Sequence, residues 1–289
     1  MEKAIEKNNK GVAHFFREDF KKAKAFYEEA LENDENNATA LNNLGLLFHQ
    51  KEEYEEAVSC YNKALKVNIS DTYFLNLANT LVHLSRHEEA EENYKKCLEI
   101  NPDNLNAKIS LARFYQFNGK PEKSIGIWEN IVSSFNNFAY KLELAKNYIA
   151  IGMHEKSLSL LSYLSKMGDN SEVCYYIGIC ELHLKNYGLA EIALKRCLGL
   201  EPDDFNARHY LSVNYLGKGD YKNALKELDF LIKIYPKELK VKLDKAIILL
   251  NLKKHKESLK LIDEVLKTDS KHEKALRYRV IVAKLLETL

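Results

Sequence analysis

The stretch Ala40-Leu41-Asn42-Asn43-Leu44-Gly45-Leu46-Leu47-Phe48 is followed by Tyr54, Ala57, Tyr61 and Ala64. It sets one small residue, Gly45, twelve positions before another, Ala57, with the large Tyr61 four positions further on. The same pattern runs through the chain. Gly11, Gly45, Ala78, Ala112, Ala145, Gly178, Ser212 and Ala246 recur every 33 or 34 residues. Twelve positions after each stands Ala23, Ala57, Ala90, Ser124, Ser157, Ala190, Ala224 or Ser258. Four positions later come Tyr27, Tyr61, Tyr94, Trp128, Leu161, Leu194, Leu228 and Ile262. Two antiparallel helices approach closely only where side chains are small, and a bulky residue one turn on fills the adjoining gap. Each such pair leaves an apolar face bare, so a core is completed only by stacking pair upon pair.

The frame divides the chain into repeats 4–37, 38–70, 71–104, 105–137, 138–170, 171–204, 205–238 and 239–272, with a final helix over 273–289. All of 1–289 is expected to form one domain. The helix breakers agree with this register. Pro102, Pro202 and Pro236 fall at repeat junctions, and Pro121 opens a second helix, where proline is tolerated. Gly119, Gly152 and Gly219 fall in the turn inside a repeat. The match weakens in repeats four and five, with Ser124, Ser157 and proline-free junctions. In the final helix Leu276, Val280, Ala283 and Leu286 share one face at helical spacing, and that face is expected to cover the last repeat.

Residues 40–64 resemble the tetratricopeptide consensus, W-x₂-L-G-x₂-Y then A-x₃-F, and the resemblance extends over nearly the whole chain. It implies an all-α, right-handed α-solenoid, or superhelix, of about eight helix pairs plus a C-terminal capping helix. It also implies that the first helices line a concave groove through slots two, five, six, nine, twelve and thirteen of each repeat. Slot six then holds Asn9, Asn43, Asn76, Ser110, Glu143, Tyr176, Tyr210 and Asp244. The three asparagines are similar to the ladder in the superhelix of O-linked N-acetylglucosamine transferase, where amides grip a peptide backbone. An amide both donates and accepts, so a row of amides pairs with main chain whatever the peptide's side chains are. Asn79, Arg113 and Lys146 fall at slot nine of repeats three to five, the two cations facing any acidic group of a ligand. Tyr175, Tyr176, His209 and Tyr210 make the later groove aromatic, a composition suited to anchoring side chains. The residues with which co-chaperones of this family clamp a C-terminal carboxylate are replaced here by Asn8, Val12, Thr72 and Asn76, and only Asn43 fits.

Composition narrows the function class. The 289 residues carry a net charge of only +1, yet 1–104 holds 13 Lys+Arg against 20 Asp+Glu, while 205–289 holds 19 against 11. This gradient suggests two further readings. The chain is either an assembly factor that self-associates head to tail through its ends or, as a minor possibility, binds nucleic acid through its basic last repeats. The five cysteines show no CxxC pair and read as small buried hydrophobes. His87, His154 and His255 share the turn slot that Tyr54, Tyr187 and Tyr221 fill elsewhere, and so read as structural. No catalytic motif, phosphate loop or metal spacing appears, so no enzyme activity, cofactor, metal or small-molecule substrate is expected. The start of the sequence reads as no secretory signal and no apolar run is long enough for a membrane, so the expected compartment is the cytoplasm. The sequence thus points to a scaffold or adaptor, monomeric or weakly self-associating, that holds an extended peptide or a helix of a partner protein.

Overall fold

The computed structural model describes residues 1–287, which form seventeen helices and no strand. The chain divides into two compact units, Met1–Asn136 and Asn137–Leu289. The boundary coincides, to within one residue, with the junction between repeats four and five. The first unit holds α1 (Glu2–Phe15), α2 (Phe20–Asn33), α3 (Ala38–Gln50), α4 (Tyr54–Val67), α5 (Asp71–His83), α6 (His87–Ile100), α7 (Leu105–Phe117) and α8 (Pro121–Ser134). The second holds α9 (Phe138–Ala150), α10 (His154–Ser165), α11 (Ser171–His183), α12 (Tyr187–Leu200), α13 (Phe205–Gly217), α14 (Tyr221–Ile234), α15 (Leu239–Asn251), α16 (His255–Thr268) and α17 (Glu273–Glu287). Within each unit every helix packs on the next in the chain, and first helices also touch one repeat on, as α3 does α1 and α5. Each unit is therefore an all-α solenoid.

Local chemistry sets the helix limits. Asn37, Asn104, Asn137, Asn170 and Asp204 end their repeats as N-caps, their side-chain oxygens accepting backbone N–H groups of α3, α7, α9, α11 and α13. The turn inside every repeat places one residue in the left-handed region. Gly119, Gly152 and Gly219 take it with φ of 66°, 77° and 75°, and Glu18, Glu52, Ser85, Lys185 and Lys253 adopt it with φ between 57° and 63°. A side chain there costs roughly 1–2 kcal/mol, so five repeats carry strain that packing must outweigh.

The small-to-large pairing is what closes each repeat. A Cβ added to Gly11 would stand 2.5 Å from the Tyr27 ring, one on Gly45 2.6 Å from Tyr61, and one on Gly178 2.6 Å from Leu194. The serines that weaken the sequence match fit the same slots. Ser124, Ser157 and Ser258 are fully buried and donate to the carbonyls of Ala112, Ala145 and Ala246 at 2.8, 3.0 and 2.8 Å. Each hydroxyl lies over the small residue of the facing helix and finds an acceptor there, so it costs little. Repeat five is the irregular one. Its α10 has 12 residues where α8 and α12 have 14, and Gly168 follows with φ of 154°.

The last helix corrects one expectation. α17 packs on α16 and α15, but through Ala275 and Val282, both fully buried, helped by Tyr278 and Leu286. Leu276 and Val280, assigned by spacing to the covering face, are 43% and 56% exposed. The helix is apolar on two sides, and helical spacing alone does not choose between them. Residues 288 and 289 of the expected helix lie outside the described residues. Among the described residues no helix is long and apolar enough to cross a membrane.

Candidate protein-interaction surface

In the first unit the first helices α1, α3 and α5 are joined by paired amides. Asn43 Nδ2 donates to Asn8 Oδ1 at 2.9 Å, and Asn76 Nδ2 donates to Asn42 Oδ1 at 2.9 Å. Slot six of one repeat thus bonds slot five of the repeat before it. This moves the expected ladder by one residue at its start: Asn9 is exposed, and its neighbour Asn8 is the buried partner. The doubled pairs Asn8-Asn9 and Asn42-Asn43 were the signal for it. The row stops at Asn76 because slot five of its own repeat is Leu75, which has no amide to offer the next helix. Asn42 Nδ2 also donates to Asn43 Oδ1 at 3.4 Å, and Asn8 and Asn42 are buried, so the amides left to meet a ligand are the half-buried Asn43 and Asn76, each with one bonded amide hydrogen and one still to donate.

Further along the same face, Thr80 donates to the Asn76 carbonyl at 2.8 Å, and His49 Nδ1 lies 2.8 Å from Thr80 Oγ1. The only hydroxyl proton of Thr80 is used, so His49 must donate through Nδ1. Burial, seconded by the neighbouring His83, pushes the His49 pKa below its ordinary value and keeps the ring neutral at pH 7. His83 stacks on Tyr54 with centroids 4.8 Å apart. Asn79 accepts from the Tyr94 hydroxyl at 2.7 Å. A cavity of about 420 Å³ opens between α3, α5 and α7, lined by His49, Asn79, His83, Ser110, Arg113 and Phe117 among others. These residues sit at slots six, nine, twelve and thirteen. Arg113 is exposed, and among the described residues it has no ion-pair partner.

The second unit presents a different face on α9, α11, α13 and α15. Lys146 has the slot of Arg113 but is not free to meet a ligand. Its ammonium lies 3.1 Å from Glu143 and 2.6 Å from Glu172, 5.6 Å from the centre of the Tyr176 ring. Tyr175 meets Tyr176 at 5.1 Å and Tyr210 at 5.8 Å, edge to face. The three tyrosines are half-buried, resting on the cores beneath α11 and α13. His209 is only 5% exposed, and its Nε2 lies 2.8 Å from Asp244 Oδ2. It is therefore a tie between α13 and α15 rather than an open groove residue. Asp244 was noted in sequence only as a slot-six residue, with nothing to mark it as that partner.

Both units carry the same outer clamp. Glu91 gathers Lys95 at 2.8 Å, the Tyr115 hydroxyl at 3.0 Å and Lys120 at 3.4 Å. Glu191 gathers Lys195 at 2.7 Å, Lys218 at 2.6 Å and the Tyr215 hydroxyl at 3.2 Å. The lysine contacts pull both carboxyl pKa values down to about 2. All five cysteines are buried and free; burial raises the thiols of Cys97 and Cys180 to about 11 and that of Cys197 to about 12. Among the described residues no group of three or more His, Cys, Asp or Glu is placed to hold a metal ion.

Parts of the chain are similar to known proteins. Family profiles described as tetratricopeptide repeat match residues 7–70, 72–104 and 171–204. Human protein O-mannosyl-transferase TMTC3 is 26% identical over 63% of this chain, which spans 24% of that protein's length. Among solved structures, YrrB, a TPR protein with an unusual peptide-binding site, superposes with a TM-score of 0.57 at 20% identity, covering 63% of this chain and 96% of its own. Cut9-Hcn1 of the APC/C gives 0.59 at 15% identity, over 91% of this chain and 52% of the other. PilF of Pseudomonas aeruginosa gives 0.59 at 18%, over 72% and 96%. The repeat register, the small-to-large helix pairing and the matched family profiles together identify this chain as a tetratricopeptide-repeat protein.

Proposed function

We propose that this protein is an interaction scaffold that holds an extended peptide or a helix of a partner protein against its first helices. The observation that carries the reading is the cavity between α3, α5 and α7, because most of its wall comes from the slots that the family resemblance turns inward. On the same face stand Asn43 and Asn76, half-buried, oriented by their hydrogen bonds and each with an amide hydrogen still to donate. Groups already fixed by their neighbours lose little freedom on binding, and a polar row of this kind suits a peptide backbone. In the second unit the half-buried tyrosines offer rigid, amphipathic contact area, which favours side-chain recognition instead.

The test uses random peptides selected on the full chain from a display library. A photo-cross-linking residue is placed at Ser110 or Tyr176 on first helices, or at Glu88 or Ile192 on second helices. Selected peptides are expected to cross-link from Ser110 or Tyr176. Failure to select any binder, or cross-links confined to Glu88 and Ile192, would overturn the assignment.

A further inference from the structure

Within that peptide-binding reading, we infer that the cavity between α3, α5 and α7 receives the side-chain carboxylate of an acidic residue in the bound peptide, with Arg113 as its counter-ion. The lining is one-sided in its chemistry. It offers the Arg113 guanidinium, the Ser110 hydroxyl, the Asn79 amide and two imidazoles, and no carboxylate. The polarity of Asn79 is already decided, since its oxygen accepts from Tyr94 and its NH₂ is what remains to donate. His49 is committed to Thr80 and adds hydrogen-bonding capacity rather than charge. Arg113 is thus the one permanent charge in the wall, and among the described residues no acidic side chain neutralises it.

The comparison with Lys146 makes the point sharper. Both cations stand at the same slot of adjacent repeats, and both point from a first helix. Lys146 is satisfied by two glutamates of its own unit, whereas Arg113 is exposed beside an empty, donor-lined space. A planar guanidinium binds a carboxylate through two parallel hydrogen bonds, a geometry an ammonium does not provide. A volume of about 420 Å³ exceeds what a carboxylate fills, and the wall includes Phe114 and the 82%-exposed Phe117. The residue next to the acid is therefore expected to be apolar or aromatic. Residues 1–104 carry 20 Asp+Glu against 13 Lys+Arg, so the surroundings repel a run of acidic residues and favour a single one.

The experiment selects a random nonapeptide, embedded in its display fusion so that it has no free terminus, on the full chain and on Arg113→Ala and Arg113→Glu. Asp or Glu is expected to be enriched at one position beside an apolar residue on the natural chain. The enrichment should vanish with Arg113→Ala and give way to Lys or Arg with Arg113→Glu. A selected peptide made with an amidated C-terminus should lose about tenfold in affinity on Glu→Gln, about tenfold with Arg113→Ala, and little more with both together. Arg113 is exposed, so unchanged thermal melting of the variants checks that the fold is intact. Binders that cross-link from Ser110 but show no acidic preference would sink this inference and leave the peptide-binding face standing. A need for a free C-terminal carboxylate would also sink it. A library that yields no binder at all counts against both.

Discussion

The two units are built alike where helices pack and unlike where first helices face outward. In both, a small residue of the first helix lies against a large one of the second, and an acidic residue clamps the following repeat from outside. Outside those packing slots, the first helices of the first unit carry an amide network and an arginine with no ion-pair partner among the described residues, while those of the second carry tyrosines, a paired lysine and a buried His–Asp tie. The difference teaches that a solenoid fixes some slots more tightly than others. Packing slots are constrained by contact distance and recur, whereas the links between successive first helices are made by amides in one unit and by a His–Asp pair in the other.

Three measurements break or sharpen this comparison. The largest effect is expected in the shared layer. Gly45→Val and Gly178→Val should each destabilise their unit by about 2–3 kcal/mol in thermal or urea unfolding. The loss should be greater for Gly45, because the rigid Tyr61 ring has fewer rotamers by which to turn aside than the flexible Leu194 side chain. Equal, negligible losses would mean that the layers are not close-packed.

The inner faces should differ more modestly. His209→Ala leaves Asp244 with only the Lys274 ammonium, 3.8 Å away, and should cost about 2 kcal/mol, whereas Asn42→Ala removes neutral hydrogen bonds and should cost about 1 kcal/mol. The reverse order would show that the amide network, not the His–Asp tie, is the stronger link between repeats.

The smallest effect is one the units share. Glu91 and Glu191 are held near 2, below the ordinary carboxyl value of 4.5. The folded state therefore binds fewer protons than the unfolded one between those values. Their contribution is complete above about pH 4.5 and is lost as pH falls toward 2. Glu91→Gln and Glu191→Gln should each cost up to about 1 kcal/mol at pH 7 and nothing at pH 2, flattening the acid limb of the stability curve. A variant whose acid limb matches that of the natural chain would remove the clamp from the account.

The repeat register was legible because it rests on contact distances that admit few residues. Gly45 opposite Tyr61 is visible as a spacing, and so is the turn slot shared by Gly119 and Gly152. Ser124 and Ser157 read as weak matches only because the acceptor carbonyl belongs to the facing helix, twelve residues away. The inner face was legible only in part. The family resemblance placed Asn43, Asn76, Arg113 and Lys146 on one side of their helices, but left open which would find partners. That depends on how consecutive first helices cross, which sets slot six of one repeat against slot five of the one before.

By itself the sequence determined the helix pairs, their register, their turns and the burial of the cysteines, because each follows from local backbone preference or from side-chain size at a fixed spacing. Tertiary structure decided what no spacing contains. It chose which of two apolar stripes on α17 would be covered, which asparagine of each doubled pair would accept from the following repeat, and which of two equivalent cations would be neutralised. These outcomes depend on groups from different repeats meeting within about 3 Å, a distance set by the stacking of whole helices.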